Sequence, residues 1–260
     1  MKFANAGLSN RLRRVYTPRA PADAVRITPR MCNPACIDFG ARVVSADDVR
    51  GKRVIEVGSM NVNGSLRATI EALGPARYIG VDLGEGPGVD EVCPAEALVG
   101  RFGEQAFDLV VCTEMLEHVR EWRVVVTNLK RLVAPGGVLL VTTRSKGFPY
   151  HEYPFDYWRF EPDDMRAIFA DFAIEELERD TYMPGVFMKA RRKDTAAPEP
   201  RLGDYKLYAV VAARRCKRIT PLDIALFRVR YPIERFLKTV IPKSVRNAVR
   251  GSLGGTVRNG

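Results

Sequence analysis

The sequence predicts an α/β protein built on an open, mostly parallel sheet. Val54, Ile55 and Val57 make a short apolar run, interrupted by Glu56, that stops at Gly58, and the helix-like SLRATIEAL follows Gly64. Strand, glycine-bearing turn and helix, in that order, present backbone N–H groups and a helix start to a ligand. Further apolar runs, ARYIGVD, FDLVVCTEM and VLLVTT, are separated by segments whose apolar residues fall near helical spacing. With 260 residues, the chain is long enough for one sizeable α/β domain with appendages and short for two.

The bulk properties narrow the class. Hydrophobic content of 46% and charged content of 28% are those of a globular protein. The five cysteines, Cys32, Cys36, Cys93, Cys112 and Cys216, are scattered and odd in number, which argues against a disulfide scaffold and for a reducing, cytoplasmic setting. The N-terminus lacks the apolar core of a secretory signal, and no run of about 18 apolar residues exists to span a bilayer. The net charge of +10 is uneven: from Arg191 to Gly260, 17 Lys/Arg stand against 5 Asp/Glu, so residues 1–190 are slightly acidic. That balance argues against an active site shaped for a nucleic acid.

In the first strand and its turn, only Gly58 and Gly64 are glycine, so the G-x-G-x-x-G of a dinucleotide cradle is absent. The pattern from Glu56 to Gly64, E-x-G-x-x-x-x-x-G, resembles the first motif of class I S-adenosylmethionine (SAM) dependent methyltransferases. The resemblance extends from about Val54 to Ser145 through a second strand ending in Asp82, the FDLVV strand, and Ala134-Pro135-Gly136-Gly137 before a fifth strand. It implies a Rossmann-like fold: a mostly parallel seven-stranded sheet, helices on both faces and an antiparallel last strand. It also implies SAM as cofactor, with Glu56 near the amino-acid part, Gly58, Ser59 and Gly64 in the turn, and Asp82 with Leu83 at the ribose. A carboxylate such as Asp82 accepts from two vicinal hydroxyls at once. A side chain at Gly58 would meet the ligand or break the turn. The loop GEGPGVDEVCPAEAL and its short third strand place Ala95 and Glu96 near the adenine, and Thr113 ends the fourth strand.

After that strand, Glu114, Glu117 and His118 fall at i, i+3 and i+4 and share a face if the segment is helical. Two carboxylates and an imidazole there suit a divalent cation. The E-x-x-E-H is similar to the metal-binding element of ubiquinone-biosynthesis O-methyltransferases and small-RNA 2′-O-methyltransferases, which implies Mg²⁺ as a second cofactor. In methyltransferases that need no metal, the same Glu and His cap the helix or line the pocket. The next helix, VREWRVVVTNLKRLV, carries core residues at helical spacing.

KGFPYHEYPFDYWRF is the densest aromatic segment, and Tyr150, Tyr153, Tyr157 and Trp158 are expected to wall the acceptor pocket. The chain has two histidines, His118 and His151, both in segments that reach this pocket. Either could be the base that takes a hydroxyl proton, with Glu114 assisting, or His151 could complete a metal set with Glu114, Glu117 and His118. Glu161-Pro162-Asp163-Asp164 opens a helix, and AIEELERD with GVFMKARR reads as the last, antiparallel strand pair; KLYAVVAAR is a further strand of unassigned partner.

Three parts follow: a basic N-terminal cap over residues 1–50, a SAM-binding methyltransferase domain over 51–213, and a basic amphipathic tail over 214–260. The cap holds Cys32 and Cys36 at a zinc-like spacing without partners nearby. The tail suits an anionic membrane, a protein partner or nucleic acid, or packs on the chain's own domain. Because an oxygen acceptor needs a base or a cation, the His/Glu grouping points to O-methylation of a small hydroxylated molecule, a sugar or glycan ahead of a phenol. RNA ribose methylation and SAM binding without catalysis are the alternatives.

Overall fold

In the computed structural model, which describes residues 34–62, 64–152, 155–193 and 199–241, the chain enters through α1 (Pro34–Val43) and α2 (Ala46–Val49). A capping box between Ser45 and Asp48 starts the second helix. The order is then β1 (Arg53–Val57), α3 (Arg67–Glu71), β2 (Arg77–Asp82), β3 (Glu91–Val92), α4 (Leu98–Phe102), β4 (Phe107–Thr113), α5 (Trp122–Leu132) and β5 (Val133–Arg144). After it come β6 (Trp158–Arg159), α6 (Pro162–Ile168), β7 (Phe172–Arg179), β8 (Gly185–Arg192), β9 (Leu207–Ala209), β10 (Arg214–Cys216) and α7 (Pro221–Val240).

Seven strands form one sheet in the order β3-β2-β1-β4-β5-β8-β7. The first five are parallel, and β8 runs antiparallel between β5 and β7. Alternation along the buried strands builds two cores. Ile55, Val57, Val110 and Cys112 face α4, α5 and α6, while Val54, Leu109 and Val111 face α1, α2 and α3. Helices therefore cover both faces, as the sequence implies.

Two details differ from the sequence reading, and one completes it. Ala134–Gly137 is not a turn ahead of the fifth strand; β5 already starts at Val133, and its register to β4 jumps from Phe107↔Val133 to Leu109↔Val138. KLYAVVAAR supplies β9, which pairs with β6 and β10 in a separate three-stranded sheet. The ladder Ala209↔Arg214 crosses the expected boundary after Ala213, because the tail's first residues close a hairpin on the domain.

The strand order reverses beside β1, whose neighbours β2 and β4 are reached by connections leaving in opposite directions. The carboxyl ends of strands at such a reversal are where open α/β sheets bind ligands. Here they are Val57–Gly58, Asp82 and Thr113–His118.

Candidate active site

The glycine turn and Asp82 meet. The Gly58 and Ser59 N–H groups donate to the Val81 carbonyl at 2.9 and 3.1 Å. Asp82 accepts from the Met60 N–H at 3.1 Å and from the Leu83 N–H at 2.7 Å. Gly58 has φ of +80°, and a Cβ there would lie 2.8 Å from the Met115 side chain. Glycine is needed at this turn because of backbone conformation and Met115. Gly64, at φ +132°, lies under Ile37 of α1, 2.6 Å from where a Cβ would project, so the N-terminal helices adjoin the turn. Ser59 is buried, and its hydroxyl has no hydrogen-bond partner among the described residues.

Glu56 is buried on the face of β1 that looks toward Tyr78. Its carboxylate accepts from the Tyr78 hydroxyl at 2.6 Å and from Ser65 Oγ at 3.4 Å. Burial pushes the Glu56 pKa up to about 7, against the pull of those two hydrogen bonds. Leu83 is exposed beside Asp82, Thr113 is buried at the end of β4, and the carbonyls of Ala95 and Glu96 accept from Asn128 of α5.

Beyond β4 the expected helix does not form. Glu114 adopts a left-handed φ of +52°, its N–H donates to Thr142, and Leu116–His118 is a single 3₁₀ turn. The i, i+3, i+4 face therefore does not exist. The Glu114 carboxylate is buried in an ion pair with Arg144, whose guanidinium also reaches Asp180 at 3.3 Å. Burial and then the nearby Glu117 charge push Glu114 upward in pKa, and Arg144 opposes both. Glu114 is thus removed from both the metal set and the catalytic set.

Glu117, His118 and His151 do converge, each offering one ligand atom within 4.8 Å of the others. Glu117 is fully buried; one oxygen accepts from Thr143 Oγ1 at 2.8 Å, and the other lies 4.0 Å from His118 Nε2 and 3.9 Å from His151 Nε2. Both rings are fixed from behind. Nδ1 of His118 is 2.6 Å from the Phe155 carbonyl, which accepts only, so that nitrogen carries the proton and Nε2 offers its lone pair inward. Nδ1 of His151 is 2.8 Å from Asp156, which also accepts the His151 N–H.

Asp156 is in turn gripped by both terminal nitrogens of Arg159, and Arg159 donates to the carbonyls of Phe148 and Pro149. Burial raises the Asp156 pKa, but Arg159 and His151 outweigh it and hold the carboxyl below its ordinary range. The sequence reading did not identify Asp156, Arg159, Thr143 or the Phe155 carbonyl. The only signal for them was an acid and an arginine inside the aromatic run.

The extended segment 155–158 alternates its sides. Phe155 and Tyr157 line a cleft of about 250 Å³, whose other wall is Phe227, Arg228 and Tyr231 of α7, and Tyr150 closes it. Trp158 is on the opposite side, fully buried against Trp122 and donating to Val119 and Arg120, so it is a core residue rather than a pocket wall. Tyr153 and Cys32 lie outside the described residues, and Cys36 is buried in α1.

Comparison with known proteins agrees with the fold. The family described as "Methyltransferase domain" matches residues 32–179. A ubiquinone biosynthesis O-methyltransferase of Dechloromonas aromatica is 32% identical over 195 residues, covering 63% of this chain and 82% of that protein. One from Chromobacterium violaceum is 28% identical over 184 residues, covering 66% and 72%. A chain of the Haloferax volcanii complex between the Trm112 methyltransferase activator and a methyltransferase superposes with a TM-score of 0.50 at 14% identity, over 63% of this chain and 91% of that one. With a family match across more than half its length, and with the seven-stranded sheet, glycine turn and acid-ended second strand in place, the chain belongs to the class I SAM-dependent methyltransferases.

Proposed function

We propose that this methyltransferase acts on a hydroxyl oxygen of a small acceptor seated in the aromatic cleft, a sugar or another hydroxylated metabolite. The glycine turn at Gly58 would hold the methionine end of SAM, and Asp82 the ribose. The observation that carries the reading is the convergence of Glu117, His118 Nε2 and His151 Nε2 just after the carboxyl end of β4. Methyl transfer from a sulfonium already has its leaving group, so the protein must align the acceptor and take its proton. The names of the two curated relatives, both O-methyltransferases, support oxygen as the methylated atom.

The three groups fit a divalent cation. A buried carboxylate oxygen of Glu117 and His118 Nε2 have no hydrogen-bond partner among the described residues, and both imidazoles are held from behind as metal-ligating histidines are. Two nitrogens and one oxygen suit Mn²⁺, Fe²⁺ or Zn²⁺ ahead of the Mg²⁺ that the sequence reading implied, because Mg²⁺ favours oxygen donors. Bound there, a cation would supply Lewis acidity that makes an acceptor hydroxyl easier to deprotonate. Phe155 and Tyr157 would pack on the acceptor's flat or C–H faces and exclude water.

A second reading has its own support. The Asp156 carboxylate on Nδ1 of His151 is placed to stabilise an imidazolium, so Nε2 of His151 could take the hydroxyl proton without a metal. The two readings part on chelation. Under the cation reading, turnover with an accepted substrate is lost in chelator and restored by Mn²⁺, and calorimetry finds Mn²⁺ binding that Glu117→Gln weakens at least tenfold. Full turnover in chelator, with no heat of Mn²⁺ binding, would overturn the cation and leave His151 as the base.

A further inference from the structure

Helix α7 uses only one side to join the domain. Phe227, Ile224 and Tyr231 pack toward Tyr150 and the aromatic cleft. Leu222, Leu226, Val229, Ile233, Phe236 and Val240 are left between 54% and 66% exposed. These six are spaced alternately four and three residues apart, so at about 100° per residue they make one narrow stripe roughly opposite the packed side. Beyond Tyr231, every residue of the helix whose burial is described is exposed.

Charge points to what covers the stripe. Residues 214–260 hold 12 Lys/Arg against 2 Asp/Glu, so the chain's entire formal excess of +10 resides there. Arg228 and Arg235 are exposed on α7, and residues 242–260 add four basic residues and no acid. No helix among the described residues is long and apolar enough to cross a membrane.

We propose that the outer face of α7 lies on an anionic bilayer. The apolar stripe enters the boundary between headgroups and acyl chains, and the net positive charge of the segment draws the helix to anionic headgroups. A second copy of the chain fits less well, because pairing two such helices would bring a strongly one-signed segment against itself. A nucleic acid would use the charge but leave the Leu, Val, Ile and Phe stripe in water. The proposal is independent of the acceptor and of the reaction.

The test is sedimentation of the full chain with phosphatidylcholine vesicles, with and without phosphatidylglycerol. The expected result is binding to the anionic vesicles, little to pure phosphatidylcholine, and a partition coefficient at least tenfold lower for Ile233→Glu and for Phe236→Glu. Both positions are exposed and outside the cleft, and unchanged SAM affinity by calorimetry shows that each variant is folded. The proposal is overturned if the wild type fails to sediment with anionic vesicles or if the two variants sediment as well as it does. It is also overturned if the chain ignores both vesicles and runs as a dimer that Ile233→Glu dissociates.

Discussion

Glu56 shows how much one side chain can hold in tension. Its carboxyl is almost fully buried beside Tyr78 and Ser65, and that burial raises its pKa from the ordinary 4.5 to about 7. A carboxyl raised in this way favours the folded state only while protonated, so the wild type loses stability as pH climbs from about 4.5 to about 7, and the loss then levels off. Glu56→Gln removes the ionisation and keeps a group that can accept from Tyr78. In urea titrations the variant should therefore gain on the wild type between pH 5 and 8, by up to about 3 kcal/mol. A constant difference across that range would show that Glu56 does not titrate with folding. Asp156 is the opposite case, a buried carboxyl kept charged by Arg159 and His151.

The elements differ in how plainly the sequence announces them. β1, β2, β4 and the buried part of β5 are apolar runs buried on both faces, and the glycine turn and Asp82 follow from where those runs stop. The short 3₁₀ turn after β4 is not visible in this way, since Glu114, Glu117 and His118 also fit a helix by spacing alone. Contacts with another strand decide against it: the Glu114 N–H donates to the Thr142 carbonyl and its carboxylate pairs with Arg144, both of β5. The positioning of His151 was hidden for a similar reason: its partners sit five and eight residues on, in an aromatic run with no period to assign faces. The glycine turn offers a direct test. Gly58→Ala would force an L residue to φ +80° and set its Cβ against Met115, a cost of about 1–2 kcal/mol. SAM affinity measured by calorimetry should fall at least tenfold, and unchanged affinity would remove this turn from the cofactor site.

At the scale of the whole molecule, the N-terminal helices are tied to the far side of the sheet by charge. Asp48 of α2 accepts from Lys189 Nζ and from Arg191 of β8, each at 2.8 Å, and Lys189 also donates to the Val43 carbonyl. Burial raises the Asp48 pKa, but Lys189, Arg191 and Ser45 together hold it well below the usual carboxylate range. Its contribution is thus present above about pH 4 and fades as pH falls further. Asp48→Ala leaves the buried Lys189 with Glu175 as its remaining carboxylate partner and should cost about 2 kcal/mol in urea unfolding at pH 7. That deficit should shrink below pH 4, and equal stability at pH 7 would mean that the network holds nothing together.

The position of β8 has a consequence for how the protein is made. It is drawn from late in the chain yet sits between two strands that leave the ribosome before it. Strand β7 pairs with β8 alone among the described strands, so it has no place on the sheet until Arg192 has emerged, and the two join the edge of β5 together. The same late hairpin carries Lys189, so α1 and α2, which already pack on Leu66, Leu109 and Val111, gain their charged tie only once β8 has been made.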